Sequence, residues 1–195
     1  MRHIPNILSF LRILLVPLFL WLYFLDATLT RFIGIVVFVI AALTDLLDGY
    51  IARKKGFQTE FGTFLDPLAD KLLTFSGFFC LPWIDAELYP WWAIWVIVAR
   101  DFFITGLRIY AKRKHQPLYT RASAKWKTFA QMTFLYLGLI LGATVESTHP
   151  ILLFSGAIMS SWAMYYALLF VTLITVYSGL EYVVVNRALF YRQRS

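Results

Sequence analysis

Apolar residues fill six stretches of this chain, and polar and turn-forming residues collect in the five gaps between them. The stretches run over about 7–25, 32–50, 64–83, 91–110, 126–143 and 152–185. Each approaches or exceeds the roughly 20 apolar residues that a helix needs to cross the hydrocarbon core of a bilayer. The pattern predicts an all-α, polytopic membrane protein with six transmembrane helices, a single domain over residues 1–195. The last stretch is too long for one straight span, so it must tilt, kink or extend past the bilayer. The first has no polar spacer and no small-residue cleavage site after it, which reads as a retained helix rather than a signal peptide.

Charge gives the topology. Arg2, Arg53, Lys54, Lys55, Lys112, Arg113, Lys114, Arg121, Lys125, Lys127, Arg187, Arg192 and Arg194 fall at one set of ends, while Asp26, Arg31, Asp85, Glu87 and Glu146 fall at the other. The positive-inside rule then places both termini in the cytoplasm. A seventh span, made by splitting the last stretch, would put the basic tail outside and is rejected. Trp83, Trp91, Trp92 and Tyr89 are expected at the outer interface, as an aromatic belt. Composition agrees: the chain is 60% hydrophobic, against about 45–50% in soluble domains. Its net charge of +7 reads as topology signal and attraction to anionic lipids rather than nucleic-acid binding. The single cysteine, Cys80, lies in an apolar run and reads as a small buried hydrophobe.

Four acids break the apolar pattern. Asp45 and Asp48 close the second stretch; Asp66 and Asp70 open the third. A carboxylate well inside a span costs about 2.5–3.5 kcal/mol on insertion scales, and four together repel one another. The pairs are three and four residues apart, so each shares one helix face. A short connection makes the two helices antiparallel neighbours whose acids converge. Oxygen-only ligands select Mg²⁺, Mn²⁺ or Ca²⁺, and four carboxylates suit two metals better than one. Gly49 and Ala52 leave room for a flat or phosphorylated ligand. Arg53, expected just past the second helix, either caps its carbonyls or holds a phosphate. Gly62 is expected to bend the chain before a third helix starting near residues 63–66, with Pro67 in its first turn.

The pattern Asp45-x2-Asp48-Gly49-x2-Ala52-Arg53-x8-Gly62-x3-Asp66-x3-Asp70 resembles the signature of the CDP-alcohol phosphotransferases at every position. That resemblance implies a six-helix membrane fold, transfer of a phospho group from a CDP-linked donor to an alcohol, and release of CMP. It also implies two divalent cations, Mg²⁺ or Mn²⁺, on Asp45, Asp48, Asp66 and Asp70, with Asp70 as general base. Asp48, Gly49, Ala52, Arg53 and Gly62 would hold the CDP part of the donor. Further stretches are similar to the bacterial branch of the family that makes phosphatidylglycerophosphate: Ile4-Pro5-Asn6-Ile7-Leu8-Ser9-x2-Arg12, Arg100-Asp101, Gly106-Leu107-Arg108, and Lys125-x-Lys127-Thr128 with Gln131. Asp101 stands where that branch often has Glu, and Ala124 where it often has Gly. The substrates so implied are CDP-diacylglycerol and sn-glycerol 3-phosphate, the enzyme being a homodimer in the bacterial inner membrane with its active site facing the cytoplasm.

The basic residues bear on the acceptor. Arg100 and Arg108 are eight residues apart and share roughly one face of the fourth span. Lys125 and Lys127 open the fifth on the same side of the membrane. With Arg121 these cations can form a pocket for a phosphorylated alcohol; the alternative for Arg100 is an ion pair, for instance with Asp101. Lys71 is expected to pair with a carboxylate, and Thr172 and Ser178 to serve helix packing. Within the family, other acceptors remain open: phosphatidylglycerol, serine or an inositol phosphate. Outside it stand a divalent-cation transporter, which predicts repeated broken helices that the sequence lacks, and a lipid-binding protein, which needs no cluster of acids.

Overall fold

The computed structural model describes residues 4–25, 27–55, 60–114, 119, 122–144, 157, 158 and 161–187, with backbone alone for 4–8, 45–55, 60–64, 66, 122 and 123. These residues form six helices and no strand: α1 (Ile4–Tyr23), α2 (Thr28–Lys55), α3 (Glu60–Ile84), α4 (Trp91–Arg113), α5 (Ala122–Gly142) and α6 (Trp162–Val185). One helix answers to each apolar stretch, and among the described residues the fold is all-helical as expected.

The ends differ in instructive ways. Helix α2 continues through Arg53 to Lys55, so Arg53 lies inside the helix rather than beyond it. Helix α3 already begins at Glu60, which puts Gly62 in its first turn instead of in a bend, and Pro67 two turns in. Arg and Lys are good helix formers, so the helix runs on where hydropathy stops. At 28 residues, α2 is about 42 Å long, more than the ~30 Å hydrocarbon core. Helix α6 begins at Trp162, ten residues later than the apolar stretch; residues 145–156 are outside the description.

Among the described residues, α6 alone is long and apolar enough by itself to cross a membrane, with shorter apolar runs over Ser9–Tyr23 and Thr28–Thr44. The others carry charges within their length: Lys71 in α3, Arg100, Asp101 and Arg108 in α4, Lys127 in α5. Of these, Asp101 and Lys127 are buried in the bundle, Lys71 and Arg100 are partly buried, and Arg108 is exposed. Arg12, Asp101, Lys127 and Gln131 are buried, with Ser76, Thr172, Thr175 and Ser178, while Trp21, Leu29, Trp126, Phe129, Phe170 and Leu173 are exposed. Charged and polar groups buried beside the apolar core, with large apolar side chains outside, depart from the order of a soluble protein.

Helix α3 is the centre of the bundle: it packs against α1, α2, α4 and α5, and α6 closes the far side against α4 and α5. Close approach depends on glycines. A Cβ on Gly34 of α2 would lie 3.3 Å from the backbone nitrogen of Tyr23 and 3.4 Å from the carbonyl of Phe19, both in α1. Phe19 meets Phe38 of α2 with ring centroids 4.9 Å apart. The Tyr23 hydroxyl donates to the carbonyl of Leu139 in α5 at 3.2 Å. At the end away from the motif acids, Trp83 and Trp91 meet edge to face at 6.1 Å, and Trp83 is exposed. Tyr89, expected beside them at the interface, is instead fully buried, its ring turned towards Phe134; the α3–α4 turn folds it inward. Cys80 is buried as expected, its thiol donating to the Ser76 carbonyl at 3.3 Å.

Candidate active site

Along α2, the buried residues Gly34, Phe38 and Ala41 follow steps of four and three. The same steps lead on to Asp45, Asp48 and Ala52, so the helix register carries the line packed against the bundle into the acids. Asp66 and Asp70 stand one turn apart in the first half of α3, the helix that follows. Backbone geometry therefore assigns all four acids to two consecutive helices. The side chains of Asp45, Asp48, Ala52, Arg53 and Asp66, like positions Gly49 and Gly62, lie outside the side-chain description. Asp70 is within it.

The Asp70 carboxylate is one-third exposed, and the Lys71 ammonium lies 3.0 Å from its Oδ2. The expected pairing of Lys71 is thus present. It is also shared, because the same ammonium lies 3.9 Å from Oδ2 of Asp101 on α4.

Asp101 organises the neighbouring helices. It is buried, and its Oδ1 accepts from Lys127 Nζ at 2.5 Å and from Arg100 Nη1 at 3.0 Å. Its Oδ2 accepts from Gln131 Nε2 at 3.2 Å. Arg100 also donates through Nη2 to the Ser178 hydroxyl of α6 at 2.9 Å. Gly179 gives that side chain room: a Cβ there would lie 3.0 Å from Arg100 Cγ. One carboxylate thus ties α3, α4 and α5 together, and Arg100 extends the tie to α6. Among the described residues, three cations, Lys71, Arg100 and Lys127, stand around the two acids Asp70 and Asp101. Burial of so many charges is tolerable only because each meets an opposite charge or a hydrogen-bond partner.

The four cations expected to hold an acceptor phosphate separate into two pairs. Arg100 and Lys127 meet at Asp101. Arg108 and Lys125 line a common open cavity of about 450 Å³ between α4 and α5, with Ala124, Thr128, Phe129 and Met132. Arg108 stands 5.5 Å above the ring of Tyr182, a cation–π arrangement that orients the guanidinium. Arg121 lies outside the description. Close by, Asn186 at the end of α6 bonds both backbone groups of Tyr119, its Oδ1 accepting at 3.0 Å and its Nδ2 donating at 3.1 Å. This fastens the α4–α5 connection at the basic end.

Two participants escape a reading by composition. Arg12 of α1 is fully buried, its Nε donating to the Ala41 carbonyl at 3.3 Å, one turn before Asp45. The signal was a lone arginine within an apolar run. The central place of Asp101 was not legible, because only the fold brings Lys71, Lys127 and Gln131 to it.

Comparison with known proteins shows the family. The profile described as CDP-alcohol phosphatidyltransferase matches residues 2–174. A protein of Haemophilus influenzae named CDP-diacylglycerol–glycerol-3-phosphate 3-phosphatidyltransferase is 36% identical over 171 residues, covering 83% of this chain and 89% of its own. Proteins of the same name are 37% identical over 143 residues in Rickettsia typhi, covering 73% and 79%, and 32% identical over 168 residues in Escherichia coli K12, covering 83% and 91%.

Proposed function

Since the chain belongs to the CDP-alcohol phosphatidyltransferase family, and is therefore a transferase, we propose that it moves a phosphatidyl group from CDP-diacylglycerol to sn-glycerol 3-phosphate. The products are phosphatidylglycerophosphate and CMP. The reading is carried by the four acids Asp45, Asp48, Asp66 and Asp70 on consecutive helices, in a chain similar to several proteins named CDP-diacylglycerol–glycerol-3-phosphate 3-phosphatidyltransferase.

The donor set fits divalent metals. It is oxygen-only, as hard cations require, and its described member, Asp70, already carries a cation in the Lys71 ammonium. Two Mg²⁺ or Mn²⁺ ions held by these acids would neutralise the donor diphosphate and ease the departure of CMP. The chain's own residues do the rest. Gly49 and Ala52 admit the cytidine, Asp48 and Gly62 border it, and Arg53 holds a diphosphate oxygen. Asp70 takes the proton of the acceptor hydroxyl. The acceptor oxygen bonds to the phosphorus that bears diacylglycerol. The bond from that phosphorus to the bridging oxygen breaks, and CMP leaves with the electron pair. Arg108 and Lys125 receive the acceptor phosphate in their cavity, while Lys127 and Arg100 set the positive potential behind it.

The acyl chains stay in the bilayer, which is the inner membrane of a bacterium. Both termini and the site face the cytoplasm, and the enzyme works as a homodimer. Support for the membrane setting comes from the exposed apolar faces and from the basic residues gathered at the motif end of the bundle.

The test is to incubate purified protein with CDP-diacylglycerol and a panel of alcohols, with Mg²⁺ or with chelator, and to measure CMP. Release should require glycerol 3-phosphate and Mg²⁺ or Mn²⁺. Full release in excess chelator would remove the metals from the mechanism. Equal use of an unphosphorylated alcohol would replace the acceptor, phosphatidylglycerol being the next candidate.

A further inference from the structure

The Lys71 ammonium stands between two carboxylates that have different surroundings. On one side is Asp70, one-third exposed, 3.0 Å away. On the other is Asp101, buried, 3.9 Å away. A lysine ends in a compact charge with three donors on a flexible stem, and the torsions of that stem cover a difference of this size. The buried acid has room for it. Asp101 Oδ1 is occupied by Lys127 and Arg100, whereas among the described residues Oδ2 is given only Gln131 Nε2, a neutral donor at 3.2 Å. A carboxylate oxygen takes about two hydrogen bonds, so Oδ2 retains acceptor capacity towards Lys71.

We propose that Lys71 is a resident counter-cation of the carboxylate site, which steps from Asp70 to Asp101 when a divalent cation binds. Without metal, the ammonium offsets the repulsion among acids on α2 and α3. An arriving divalent ion repels it from Asp70, and Asp101 takes it up, so the lysine never becomes an unpaired charge inside the bundle. Lys71 is in this sense a competitor of the metal, and Asp101 is the positioning residue that makes its withdrawal possible. The inference rests on Asp70 being a metal ligand, as the proposed function has it.

Manganese binding without substrate is the test, read from the electron paramagnetic resonance signal of free Mn²⁺ over full-length protein in detergent or nanodiscs. Lys71→Met removes the competitor and should tighten binding about threefold, the range of a partly exposed ion pair. Asp101→Asn removes the alternative partner and should weaken binding by a similar factor, but only while Lys71 is present. Lys71→Met with Asp101→Asn should therefore bind like Lys71→Met alone. Unchanged or weaker binding in Lys71→Met overturns the proposal, and that variant leaves the buried Asp101–Lys127 pair in place should Asp101→Asn fail to fold. A loss on Asp101→Asn that persists undiminished with Lys71→Met also overturns it, since a structural role would act in both backgrounds. Absence of Mn²⁺ binding by the unmutated protein would instead refute the metal site itself.

Discussion

At the scale of residues, charge partners separate roles that a list of basic side chains would merge. Lys127 is buried against Asp101; Arg108 is exposed and lines a cavity with Lys125. Lys127→Ala leaves the Asp101 carboxylate short of its nearest cation, and breaking a buried pair in this way costs about 3–5 kcal/mol. It should lower the thermal unfolding temperature in detergent markedly. Arg108→Ala should leave that temperature nearly unchanged and raise the acceptor KM about tenfold, as expected for one charge-assisted bond to phosphate. A rise confined to the donor KM would move Arg108 to the CDP site. The acids separate similarly. Asp70→Asn should cut turnover far more than donor binding, whereas Asp45→Asn should weaken both. Near-normal turnover in a folded Asp70→Asn variant would send the search for the base elsewhere.

Helices meet at glycines, and two of these make opposite predictions. Gly34 faces backbone atoms of α1 within 3.3–3.4 Å, which cannot give way as a side-chain tip can. Gly34→Val should separate α1 from α2 and destabilise the bundle by about 1–3 kcal/mol, as overpacking does. Among the described residues, Gly106 of α4 meets nothing within 4 Å. Gly106→Ala should therefore be stabilising by about 0.5–1 kcal/mol through helix propensity alone. If activity falls in that variant while the unfolding temperature holds or rises, substrate approaches the helix there, two residues before Arg108. Unfolding curves and CMP release on the same samples decide both cases. The element boundaries tell a related story: α2 and α3 outrun their apolar stretches because helix propensity, unlike hydropathy, does not end at Arg53.

For the whole molecule, the proposed topology makes a labelling prediction. Cys80 is fully buried and is the only cysteine in the chain, so a Cys80→Ala background is readily obtained. In it, Lys114→Cys should react with a membrane-impermeant maleimide only when the cytoplasmic face is open, and Glu87→Cys only from the opposite face. Reaction of both from one side would refute the alternating arrangement of α3 and α4. The exposed apolar faces of α1, α2 and α6 fit contact with lipid, where a soluble protein would carry charges.

Much was written in one dimension. Six apolar stretches became six helices because hydrophobic length is a local property, and the four acids declared themselves because ionised groups rarely enter such stretches. The pairing of Lys71 with Asp70 was local as well, between chain neighbours. The fate of Lys127 was not: its spacing on α5 is compatible with a phosphate site, yet the bundle turns it onto Asp101 twenty-six residues away. Arg12 likewise reaches the carbonyl of Ala41 across 29 residues. Tyr89 is aromatic and borders a span, which suggests an interface, but the α3–α4 turn buries it. A sequence shows which groups are costly to bury, and therefore that partners must exist. Which partner each one finds depends on helix rotation and neighbour order, and these are set by packing over the whole bundle.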